Sequence, residues 1–216
     1  MNNDNNNDNE VFDENEAAAL ARLTQDMLCQ TNLSPGLIQR LFDFGRVGVQ
    51  QVHETQRNYD GRENDNGRYL QVTVHRRQEF VMNQLVVVTN SRDQGWSSYP
   101  QDQGTRNGSW TWIELGLGSN DNDDNEQNRT RLVTNIHAGQ DWERNEAVFA
   151  PGNTVLDALS AAVSRNGLDT VSIYTRSCFP GWQCRINLAQ VRVLWKPNVT
   201  AIAERLQQAQ NSQAAH

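Results

Sequence analysis

The sequence predicts a mainly β protein, an antiparallel β-sandwich of the jelly-roll kind preceded by a short helical segment. Three observations carry that expectation. Apolar and polar residues alternate with period two in several short runs, the mark of half-buried strands. Loops rich in Gly, Pro, Asn and Asp separate those runs, with no βαβ rhythm. Amphipathic helical spacing, by contrast, is concentrated ahead of residue 50. A chain of 216 residues is long enough for one sizeable core, or for one domain with a smaller helical appendage.

Residues 1–13 (MNNDNNNDNEVFD) are of low complexity and are expected to be disordered, since they bury too little to offset chain entropy. Residues 14–53 form the helical segment. Glu14 to Gln30 places Ala17, Leu20, Ala21, Leu23, Met27 and Leu28 on one stripe, with acidic residues at the positive end of the helix dipole. Ser34 caps a second helix with Pro35 in its first turn, carrying Leu37, Ile38, Leu41, Phe42 and Phe44. Residues 54–66 are polar and read as a linker. The sandwich then occupies 67–199. Its strands are Tyr69–Arg76, Leu85–Val88, Trp110–Leu117, Arg131–His137, Glu146–Ala150, Thr170–Arg176 and Leu188–Trp195. Asn153 caps a helix or helical turn reaching Val163, and Asn120–Asn128 is a solvated loop. Residues 200–216 are a short helix and tail.

Composition narrows the class of function. Net charge is −7, and Asp4, Asp8, Glu10, Asp13, Glu14 and Glu16 supply most of it. The remainder is near neutral and offers no basic field for a phosphate backbone, so nucleic acid is not an expected partner. No stretch has the ~20 apolar residues of a membrane span, and no secretory signal is visible. Cys29, Cys178 and Cys184 are an odd number and fit reduced thiols. The expected location is therefore cytoplasmic, or nuclear, rather than secreted, and the Asn-x-Ser/Thr matches at Asn107, Asn128 and Asn198 are taken as chance.

No catalytic motif appears: G-x-S-x-G, H-E-x-x-H and a phosphate-binding glycine loop are all missing. Four scattered histidines suggest no metal cluster, and no cofactor is expected. The run Asp121, Asp123, Asp124 lacks the turn glycine and the terminal bidentate Glu of a calcium loop. The tryptophans say more. Trp96, Trp142 and Trp182 lie in or beside loops. Sugars present apolar CH faces that stack on rings, while their hydroxyls seek Asp, Asn, Arg or Glu. Asp93-Gln-Gly-Trp-Ser-Ser-Tyr-Pro collects that chemistry in one segment. The ligand-binding candidates are Asp93, Trp96, Tyr99, Arg176, Phe179 and Trp182. The competing expectation is that Trp96 and Trp182 fold over the sandwich ends as core plugs.

Asp93-Gln-Gly-Trp-Ser-Ser-Tyr-Pro, Gly108-Ser-Trp-Thr-Trp-Ile-Glu and Thr175-Arg-Ser-Cys-Phe-Pro-Gly-Trp resemble a group of fungal proteins. More distantly, the layout of residues 66–196 resembles the F-box-associated domain, a galactose-binding-like (discoidin-like) jelly roll. The resemblance implies that fold, and a recognition face at the loop end. In glycan-reading members an aromatic-aromatic-basic run ahead of the late Gly-Trp contacts the sugar. Cys178, Phe179 and Pro180 match it here, so one aromatic survives and proline stands at the basic position. The helices before residue 50 lack the opening Leu-Pro of an F-box.

The leading expectation is a non-enzymatic module that binds a glycan or a partner protein through its aromatic loops. The second is a protein-interaction adaptor docking through Leu37, Leu41 and Phe44. The third is a hydrolytic enzyme pairing Asp93 with His137, with Glu114 and Arg176 alongside.

Overall fold

The computed structural model describes residues 9–31, 33–45, 47–62, 65–118 and 129–214, with the backbone alone at 9–12, 44 and 45. The acidic residues before position 9 and the loop Asn120–Asn128, with its acidic run, lie outside the described residues. The strands are β1 (Asn9–Phe12), β2 (Val49–Arg62), β3 (Arg68–His75), β4 (Phe80–Arg92), β5 (Thr111–Leu117), β6 (Arg129–Thr134), β7 (Glu143–Phe149), β8 (Leu168–Ser177) and β9 (Gln183–Pro197). The helices are α1 (Glu14–Gln30), α2 (Pro35–Gly45), α3 (Thr154–Asn166) and α4 (Val199–Ala214).

Two antiparallel sheets form, one ordered β1-β2-β9-β4-β7 and the other β3-β8-β5-β6. The expected antiparallel sandwich is therefore what the chain builds. Alternation decides which side chains enter it. Leu70, Val72 and Val74 on β3, Ile113 and Leu115 on β5, and Val171 and Ile173 on β8 meet Leu85, Val87, Ile186, Val191 and Val193 of the facing sheet. The helix α3 adds Leu156, Leu159 and Val163 to that core. It starts where the sequence places it, Val155 N donating to the Asn153 side chain at 2.9 Å, and stops at Gly167 with φ 83°.

Four boundaries differ from expectation, one of them at the C-terminal side, where α4 runs from Val199 to Ala214 in place of a short helix and tail. Of the expected linker 54–66, residues 54–62 are strand: β2 spans Val49–Arg62 and pairs with β9 along most of its length. The helical segment accordingly ends before Val49 rather than at 53. The inward positions of β2 include Gln51, His53 and Thr55, all buried, so its period-two pattern is written in polar residues. The expected tail is also shortened at its C-terminal side. Residues 9–12 pair with β2, and Asp13 caps α1, its carboxylate accepting from Asn15 N and Glu16 N at 2.9 Å.

The two ends of the sandwich differ. At one end, Ala17, Leu20, Ile38 and Phe42 pack with Val49 and Val199, closing the place where β2 begins and β9 finishes. Lys196 on β9 ties α2 to the sheet through Asp43, Nζ to Oδ1 at 3.0 Å. At the other end β4 and β8 finish and β5 and β9 begin, and the loops 93–110, 135–142 and 178–182 meet there, with one short 3-10 turn at Pro100–Asp102 and no α-helix over them among the described residues.

Candidate functional site

A buried polar network frames the loop end. Ser91 Oγ donates to Asn135 Oδ1 at 2.7 Å, and Asn135 Nδ2 donates to Thr111 Oγ1 at 3.1 Å. Thr111 Oγ1 in turn donates to Asp93 Oδ1 at 3.1 Å, and Asp93 Oδ2 accepts from Ala138 N at 2.8 Å. The chain of bonds joins the two sheets and pins residue 138, whose φ of 55° is the left-handed region an alanine rarely enters. Burial raises the Asp93 carboxyl above the usual carboxylate range, while bonds from Ala138, Gln94 and Thr111 oppose the shift. Asp93 is thus an internal brace that places His137, not a group presented to a ligand.

The loop 93–110 is stitched to its neighbours in the same way. His137 N donates to Thr105 O at 2.7 Å, and Gly104 N donates to His137 O at 3.0 Å. The Gln94 amide donates to Trp96 O at 2.8 Å and accepts from Gln183 N at 3.2 Å. Phe179-Pro180-Gly181-Trp182 closes with Trp182 N donating to Phe179 O at 3.4 Å, and Gly181 has φ 87°. Proline at the second and a left-handed glycine at the third position are the requirements of a type II turn. Phe179 itself sits at φ 73°, a strained setting for an aromatic residue.

These loops enclose a cleft of about 630 Å³, within the range of small-ligand sites. Its rim is aromatic. Trp96 is 61% exposed, Tyr99 57%, Phe179 52% and Trp110 43%, whereas Trp182 is only 8% exposed and forms the floor with buried His137. Trp110 and Phe179 meet edge to face at 4.8 Å, and His137 meets Trp182 likewise at 5.1 Å. The Trp96 ring lies over Gly181, where an added Cβ would stand 3.6 Å from it. Ser97, Ser98, Gln94 and Asp102 supply polar groups between the rings.

Of the six ligand-binding candidates, Trp96, Tyr99, Phe179 and Trp182 line this cleft. The two tryptophans divide by burial: Trp182 is buried on the cleft floor, and Trp96 stands exposed at the rim. Arg176 lies elsewhere. With Trp112 and Glu114 it faces outward from the β3-β8-β5-β6 sheet, its Nε 4.0 Å from Glu114 Oε2 and its guanidinium 5.8 Å from the Trp112 ring centre. Glu114 and Arg176 therefore share no cleft with Asp93 and His137. No Asp93–His137 hydrogen bond occurs among the described residues; the Asp93 oxygens accept from Thr111 and Ala138. Trp142, the third loop tryptophan, stacks under Arg92 at 4.8 Å outside the cleft. The thiols at 29, 178 and 184 are all free, and burial pushes Cys184 up to about 12, which keeps it a protonated core residue. Sequence reasoning missed Trp110 and Asp102. The available signal for Trp110 was its position one residue ahead of a strand and two after a glycine.

No protein-family model and no curated protein matches the chain. Among solved structures, the C-terminal domain of EclA, a sugar-binding protein, aligns with 63% of this chain and 78% of its own, at 11% identity and a TM-score of 0.31. A family two carbohydrate esterase from Cellvibrio japonicus aligns with 67% of this chain, at 8% identity and a TM-score of 0.25. This chain spans only 36% of that enzyme. Likenesses at these scores establish neither a common fold nor a shared ligand. The resemblance to fungal proteins and to the F-box-associated domain has no matching family model behind it.

Proposed function

We propose that this chain is a non-enzymatic binding module that holds a saccharide in the cleft at its loop end. The observation that carries the reading is the convergence of four solvent-exposed rings, Trp96, Tyr99, Trp110 and Phe179, on one cavity. Exposed apolar patches of this kind are uncommon on a protein that has no use for them. Rigid rings beside hydroxyl and carboxylate groups suit a ligand with flat CH faces and hydroxyl edges.

A glycan-array screen of the full chain tests the reading, run beside Trp96→Ala and Phe179→Ala. Binding in the parent that disappears in both variants, with their circular dichroism and melting unchanged, supports it. Binding that survives in both removes the aromatic rim from the mechanism.

A second reading has its own observation. Leu37 and Leu41 on α2 remain exposed beside the helical end, as a protein-docking face requires. Pull-down from cell extract with Leu37→Asp/Leu41→Asp separates that route from the cleft.

A further inference from the structure

We propose that the cleft selects an uncharged saccharide, and that the Nε2 atom of His137 reads one of its hydroxyls as a hydrogen-bond acceptor. This rests on the saccharide reading above and narrows it to a ligand class.

The tautomer follows from geometry. His137 Nδ1 lies 3.1 Å from the Asn107 carbonyl oxygen. A carbonyl only accepts, so Nδ1 carries the hydrogen of that bond. In a singly protonated ring Nε2 is then a bare lone pair. It is buried and has no hydrogen-bond partner among the described residues, and the His137 ring lines the cleft. A buried polar atom without a partner is costly, and the site where a ligand completes it is a natural exception.

The charges point the same way. Among the described lining residues Asp102 is the one formally charged side chain, and neither Arg nor Lys lines the cleft. The nearby guanidiniums are engaged elsewhere: Arg92 with Gln140 O and Trp142, and Arg106 with Glu143 and the Thr134 carbonyl. A sialylated or sulfated glycan would bring its anion to a carboxylate with no Arg or Lys in the lining to receive it. Asp102 and His137 are close neighbours, since a Cβ on Gly108 would stand 3.0 Å from Asp102 Oδ2 and 3.4 Å from His137 Nδ1. The lower part of the cleft therefore offers acceptors, and a ligand must bring donors. Hydroxyl groups do so without charge.

The test uses the full chain on immobilised neutral, sialylated and sulfated oligosaccharides, with choline in solution as a cationic probe. It is repeated with His137→Asn, which keeps a donor near Nδ1, and with His137→Gln, which keeps an acceptor near Nε2. Binding is expected on neutral glycans alone, weakened about tenfold in His137→Asn and largely retained in His137→Gln. Long-range proton–nitrogen spectra of the free protein are expected to show the Nδ1–H tautomer. Preference for sialylated or sulfated glycans, full binding by a folded His137→Asn, or an Nε2–H tautomer overturns the inference and leaves the aromatic-cleft reading standing. Choline displacing the neutral glycans overturns it in favour of a cation held by the rings. Silence of the parent on every glycan overturns both.

Discussion

The helical end and the loop end of the sandwich face the same problem with different outcomes. Each must close a core where strands stop. At the helical end Ala17, Leu20, Ile38 and Phe42 turn inward and the closure is apolar. At the loop end closure is achieved by Trp182 together with a polar network through Ser91, Asn135, Thr111 and Asp93. The large side chains left over there, Trp96, Tyr99, Trp110 and Phe179, stay in solvent. One end buries its apolar surface, and the other leaves much of it in solvent.

Phe42→Ala is expected to destabilise the protein by about 4 kcal/mol in denaturant unfolding, because the side chain is buried where helices and sheet meet. A cost below about 1 kcal/mol would detach the helices from the core. Trp182→Ala is expected to cost about 3 kcal/mol, and a near-neutral result would return Trp182 to the list of recognition rings.

Asp93 supplies a pH test. Burial raises its pKa in the folded state, so its contribution to stability is present below the unfolded carboxylate value and is lost as pH rises through the folded value. The melting temperature of the parent should therefore gain on that of Asp93→Asn as pH falls from 7 toward 4; a constant gap would show that burial does not control this carboxyl. The smallest effect belongs to Trp96→Ala and Tyr99→Ala, each expected to shift stability by less than about 0.5 kcal/mol while abolishing glycan binding. A loss of 2 kcal/mol in either would mean that the rim is core after all.

How much of this the sequence discloses depends on the chemistry of each inward face. On β3, β5 and β8 the inward residues are Leu, Val and Ile, and alternation alone places them. On β2 the inward residues include Gln, His and Thr, so a hydropathy reading sees only a polar stretch. Pro180-Gly181 announces its turn, and Asn153 its helix, because those residues act through local backbone geometry. Trp96 and Trp182 each follow a glycine and look alike along the chain. What separates them is tertiary: Trp182 packs edge to face against buried His137, and Trp96 lies over bare Gly181 at the rim. Asp93 and Arg176 misled for a related reason. A carboxylate and a guanidinium suit sugar hydroxyls, but one was needed for Thr111 and Ala138 and the other for Glu114.

Lys196 carries one more consequence. It is the chain's only lysine, and its side chain is 10% exposed in its ion pair with Asp43. Amine-directed reagents, aldehyde fixatives and lysine-conjugating enzymes thus meet a single side-chain target, shielded by α2. Its rate of acylation is a clock for the lifting of α2 from β9, readable by mass spectrometry without any introduced label.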